Sequence, residues 1–115
     1  MRKEISKWAA PWLAALWLLA GCGGPTETPG QAGGRLWVAC TTGMVADLAR
    51  NLGGDRVEVD CLMGPGVDPH YYKASQGDLE RLSRAGLVLY NGLFLEGKME
   101  EIFAKMAREK RVVPV

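Results

Sequence analysis

Four strand-length segments, at residues 36–40, 57–61, 87–90 and 111–115, alternate with three segments of helical period, and few folds accept that order. Residues 36–40 (Leu-Trp-Val-Ala-Cys) and 87–90 (Leu-Val-Leu-Tyr) are continuous apolar runs, as in strands covered on both faces. Residues 57–61 (Val-Glu-Val-Asp-Cys) alternate strictly, as a half-exposed strand at a sheet edge does. Thr41 and Thr42 are placed to cap a helix over about 44–52, with Met44, Val45, Leu48 and Leu52 on its inward stripe and Gly53-Gly54 ending it. Ser75 followed by Asp78 predicts the cap of a short helix with Leu79 and Leu82 inward. A last helix over about 96–109 places Met99, Ile102, Phe103 and Met106 on one face. Strands separated by helices call for a parallel sheet, so the prediction is an α/β fold with flanking helices and the strands in the order second, first, third, fourth. In such sheets ligands bind at the carboxyl ends of the strands. Here those ends carry Thr41-Thr42, the turn after Cys61, and Asn91-Gly92.

The N-terminal residues do not belong to this pattern. Arg2, Lys3 and Lys7 precede an uncharged apolar run at 8–20, which is the arrangement of a secretory leader and is short for a membrane span. Leu19-Ala20-Gly21-Cys22 follows and resembles a bacterial lipobox, which implies cleavage before Cys22 and acylation of its thiol. Residues 23–34 are rich in Gly, Pro and Thr and poor in large apolar side chains, so they read as a flexible tether. The expected organisation is a leader at 1–21, a lipidated cysteine and tether at 22–34, and a folded unit at 35–115. Loss of the leader moves the formal charge from +1 to about −1, and no clustered basic face of the nucleic-acid-binding kind is evident.

The loop after the second strand reads Gly64-Pro65-Gly66-Val67-Asp68-Pro69-His70-Tyr71-Tyr72, and His70 is the single histidine of the chain. A neutral imidazole is the commonest protein metal ligand, and a proline-restrained turn limits the entropy lost on coordination. Asp68 is expected to cap this turn by accepting backbone N–H bonds.

Three ordered blocks carry a resemblance: residues 40–49, from Cys40-Thr41-Thr42-Gly43-Met44; residues 62–72 with Asp68-Pro69-His70; and residues 87–99 with Asn91-Gly92 and Leu95-Glu96. Over residues 35–115 the chain resembles the zinc- and manganese-binding lipoproteins that deliver metal to ABC importers, the TroA-like or metal-adhesin family. The resemblance implies two α/β lobes joined by a long helix, with Zn²⁺ or Mn²⁺ buried between them. The first metal ligand carries over to His70, and the remaining ligands of the family lie further along the chain. Residues 35–115 then correspond to most of the N-terminal lobe of an extracytoplasmic, lipid-anchored solute-binding protein, expected here as the N-terminal portion only. Its implied partners are a membrane permease and, through Cys22, the membrane itself. Glu96 is expected to support its loop rather than bind metal, and Phe94 stands where many relatives carry a polar residue or histidine. The alternative is a surface lipoprotein or adhesin that acts through protein contacts without metal transport.

Cys40 and Cys61 fall near strand ends and leave three options open: buried thiols, a cross-strand disulfide, or soft-metal ligands. No Cys-x-x-Cys occurs, and no nucleophile, base and orienting group come together, so an enzyme is not expected.

Overall fold

The central strand, β2 (Arg35–Cys40), shows why the sheet is covered on both sides. In the computed structural model, which describes residues 28–115, Val38, Ala39 and Cys40 are all buried and alternate between two cores. Val38 and Cys40 pack with Val45, Ala46 and Ala49 of α1 (Gly43–Gly53). Ala39 faces the other way, into a cluster with Leu82 of α2 (Gln76–Arg84), Met99, and Phe103 of α3 (Glu100–Met106). A strand with helices on both faces has no solvent side, and this is the physical content of its unbroken apolar run. Among the described residues no helix is long and apolar enough to cross a membrane.

β3 (Val57–Cys61) and β4 (Leu87–Tyr90) flank β2, and β5 (Arg111–Pro114) lies beyond β4, all parallel. The order β3-β2-β4-β5 matches the one expected from the sequence. β3 is an edge strand with every residue half-buried.

Three local expectations need correction. The stretch expected to be a tether contributes a strand at its C-terminal end: β1 (Gln31–Ala32) runs antiparallel to the start of β2, across a turn at Gly33-Gly34. Gly30 lets this hairpin approach the sheet, because a Cβ there would lie 2.6 Å from the Gly86 Cα. The inward stripe of α1 is Val45, Ala46 and Ala49, whereas Met44 and Leu52 are more than two-thirds exposed. Small residues let the helix axis sit close to the sheet, and its larger apolar side chains are left outside. The last helix is shorter than expected, since residues 93–99 form turns that carry Glu96 inward.

The C-terminal end of α2 is closed from a distance. The Lys110 ammonium donates to the carbonyl oxygens of Leu82 (2.9 Å), Ala85 (2.8 Å) and Ser83, which the helix itself leaves without partners. Burial lowers the Lys110 pKa, with the Glu109 charge opposing. Lys110→Met should lower stability by about 1–2 kcal/mol in urea unfolding, and a change within a few tenths would show that water replaces the ammonium without loss.

Candidate functional site

His70 stands on the loop between β3 and α2, at the carboxyl end of the sheet, with its side chain 62% exposed. Asp68 shapes the turn as expected: its Oδ1 accepts the His70 backbone N–H at 2.9 Å. The same oxygen lies 3.1 Å from His70 Nδ1. In the tautomer whose Nδ1–H donates to this oxygen, Nε2 is the ring nitrogen left with a lone pair.

The loop is fixed at both ends by α2. Arg81 donates from Nε to Asp60 Oδ2 at 2.7 Å, and its Nη2 reaches Asp60 Oδ1 and the Cys61 carbonyl (2.8 Å), where the loop begins. Its Nη1 donates to Asp78 Oδ1 at 3.2 Å. The other oxygen of Asp78 accepts from the Tyr72 hydroxyl (2.7 Å) and from the Ser75 backbone N–H (2.8 Å) and hydroxyl (2.6 Å), where the loop ends. Burial alone would raise the Asp78 pKa, but the bonds from Ser75 and Tyr72 and the Arg81 charge hold it below the ordinary 3.8. Burial and the bond to Asp78 push the Tyr72 phenol up to about 12. Arg81 is held further in its charged form, chiefly by its hydrogen bond to Asp60. The Ser75–Asp78 capping box was legible in the sequence, whereas nothing in the sequence pointed to Asp60 and Arg81 as partners.

The ends of β2 and β4 are joined by Glu96, which is fully buried. Its Oε1 accepts from the Thr41 hydroxyl at 2.6 Å and the Asn91 N–H at 2.8 Å, and its Oε2 from the Gly92 N–H at 3.3 Å. Thr42 donates to Asn91 Oδ1 at 3.0 Å, a second bridge between the same strand ends. Leu93 and Phe94, which lie between these anchors, adopt left-handed φ values of 51° and 62° and are almost fully exposed. Glu96 therefore supports the loop and is spent on backbone and hydroxyl donors.

Cys40 and Cys61 are Cα partners on adjacent strands, and both are free thiols here rather than a disulfide. Cys61 Sγ donates to the Met63 carbonyl at 3.2 Å. Burial, with the nearby Cys61, pushes the Cys40 thiol up to about 11. Among the described residues no group of three or more His, Cys, Asp or Glu side chains is placed to hold a metal, so the soft-metal option for these cysteines finds no supporting cluster. His70 stands outside any such group among the described residues. Cys22 lies outside the described residues.

Comparison with known proteins agrees with this fold. A manganese-binding lipoprotein of Bacillus subtilis (strain 168), MntA, is 51% identical over 104 residues, which is 90% of this chain and 33% of that protein. The zinc-binding protein TroA of Treponema pallidum (strain Nichols) is 50% identical over 84 residues, 73% of this chain and 27% of its own length. The solved structure of the T. pallidum protein superposes with a TM-score of 0.67 over 70% of this chain and 29% of the other, at 50% identity. The chain spans about a third of the length of such relatives, and the part it spans is their N-terminal α/β lobe. The family model for the periplasmic zinc-uptake complex component A, ZnuA, matches residues 38–115, and the chain belongs to that family.

Proposed function

We propose that the chain is the N-terminal part of an extracytoplasmic solute-binding lipoprotein, anchored through Cys22, that captures Zn²⁺ or Mn²⁺ for a membrane permease of the ABC importer class. The observation that carries this is His70: an oriented imidazole with a free Nε2, on a loop clamped at both ends, in a family whose relatives are named for binding zinc or manganese. His70 provides the first donor, and the other donors come from residues beyond those described here. No bond is made or broken, so selectivity rests on donor type and geometry.

As the sole histidine, His70 gives a unique pair of imidazole proton signals, which makes the test direct. Mn²⁺ should broaden those two lines selectively and Zn²⁺ should shift them, with weak affinity for the chain alone. Metal-dependent changes that persist in His70→Ala, or ring lines that respond no more than free imidazole does, would defeat the proposal.

A second possibility is favoured by one observation. Met44, Leu48 and Val115 line a groove of about 450 Å³ beside the exposed Leu93, which suits contact with another protein surface. An adhesin-type role would leave the His70 lines indifferent to metal.

A further inference from the structure

Every parallel strand of the sheet begins beside a cation. β2 starts at Arg35, β3 directly after Arg56, β4 shortly after Arg84, and β5 at Arg111, with Lys110 and Arg108 before it. Asp55, Glu58, Asp60 and Glu109 oppose them at this end, with Asp60 taken up by Arg81, whereas acids outnumber cations over the rest of the described residues. The amino ends of the sheet are therefore basic, while the rest of the described residues carry a net negative charge.

These cations converge around β1. Arg84, Lys110 and Arg111 line a cavity of about 710 Å³ against residues 28–32, and Arg35 and Arg84 line a neighbouring one of about 490 Å³. Trp37 lies in both, with the Arg84 guanidinium 4.6 Å from its ring centroid. Arg35 is paired with Glu58 and the Lys110 ammonium is taken up by carbonyls, while Arg84, Arg108 and Arg111 are exposed.

The anchor reading of Cys22 brings this face to a membrane. The Thr28 carbonyl is held by the Gln31 N–H at 3.0 Å, so the chain from Cys22 to Thr28 is what separates the described fold from the acylated residue. Fully extended, it spans about 20 Å. Thr28, which lines the same cavity as Arg84 and Arg111, therefore stays within that reach of the acylated residue, a distance comparable with the roughly 8–10 Å over which the field of an anionic surface decays at physiological salt. Basic residues held this near an anionic leaflet are attracted to it. We propose that the basic amino end of the sheet docks on the anionic lipid headgroups of the membrane that holds the Cys22 acyl chains, so that the His70 end points away from the bilayer. The inference rests on lipidation at Cys22.

Cleavage before Cys22 removes Trp8, Trp12 and Trp17 and leaves Trp37, inside the docking face, as the single tryptophan. The test uses the lipidated protein purified from bacterial membranes and reconstituted into vesicles that carry a dansyl-labelled lipid. One set is phosphatidylcholine alone and the other contains phosphatidylglycerol. The protein should float with both, because the acyl chains hold it. Energy transfer from Trp37 to dansyl should be about twofold higher on the anionic vesicles, and about 0.5 M NaCl should remove the difference. Arg84→Glu/Arg111→Glu should remove it too, Arg108→Gln/Arg111→Gln should reduce it, and Lys73→Glu/Lys98→Glu, with the same charge change at the opposite end, should keep it. Circular dichroism checks that each variant is folded. Equal transfer on the two vesicle types, or transfer insensitive to the Arg84 and Arg111 variants, overturns the docking face. Loss of the difference in millimolar inorganic phosphate at constant ionic strength overturns lipid as the occupant in favour of a free anion. Failure to float with phosphatidylcholine overturns lipidation instead. Partition of the unlipidated protein between the two vesicle types then decides the docking face, with equal partition counting against it.

Discussion

Glu96→Ala is expected to cost the folded unit about 3–5 kcal/mol, a large part of the 5–15 kcal/mol typical of a domain. Three donors lose their acceptor at once: the Thr41 hydroxyl and the backbone N–H groups of Asn91 and Gly92. Thr41 is fully buried, and an unsatisfied buried donor forfeits its desolvation cost, about 1–3 kcal/mol each. The left-handed backbone at Leu93 and Phe94 would lose the anchor that holds it as well. Glu96→Gln keeps one acceptor oxygen and should recover part of the loss. Urea unfolding of the three proteins checks this, and an unchanged midpoint for the alanine variant would show that the carboxylate is not what joins the ends of β2 and β4.

The second large effect belongs to Arg81. Arg81→Met removes the donors that Asp60, Asp78 and the Cys61 carbonyl share, and leaves the carboxylates of Asp60 and the buried Asp78 without their common cation. The guanidinium is 36% exposed, so solvent screens part of the loss and about 2–3 kcal/mol is expected, below the range for a fully buried pair. The local consequence exceeds the global one: residues 64–74 should become the first site of protease cleavage while the sheet remains intact. Acid should act in the same direction. Because the folded-state pKa of Asp78 lies below its ordinary value, its contribution is complete above about pH 4 and is lost as the pH falls through the lowered value. Cleavage of the loop in the unmodified chain should therefore accelerate at low pH under an acid-active protease, and Asp78→Asn should cleave readily at every pH. Equal cleavage of the two at neutral pH would argue that α2 does not hold the loop.

The sheet was legible because each strand announces its own surroundings. The apolar runs of β2 and β4 need only the strand's own residues to show two covered faces, and the alternation of β3 shows an edge. The inward face of α1 was not legible, because Met44, Leu48 and Leu52 satisfy helical period as well as Val45, Ala46 and Ala49 do, and period alone does not reveal how close the sheet lies. β1 has no pattern to find; its two residues are strand only because β2 offers a free ladder above a glycine turn. In the loop after β3, the Asp68 turn at His70 was legible because its two residues are neighbours in sequence. The clamp was missed because Arg81 meets Asp60 across 21 positions. Thr41 and Glu96 meet across 55, so their bond too is a product of the topology.

The paired position of Cys40 and Cys61 bears on how long such a chain survives in an oxidising compartment. Thiol chemistry proceeds through the thiolate, and a thiol held near pKa 11 is ionised in only about one molecule in ten thousand at pH 7. The buried Cys40 is thus a slow attacking thiol, and the residue in register with it across the ladder is Cys61.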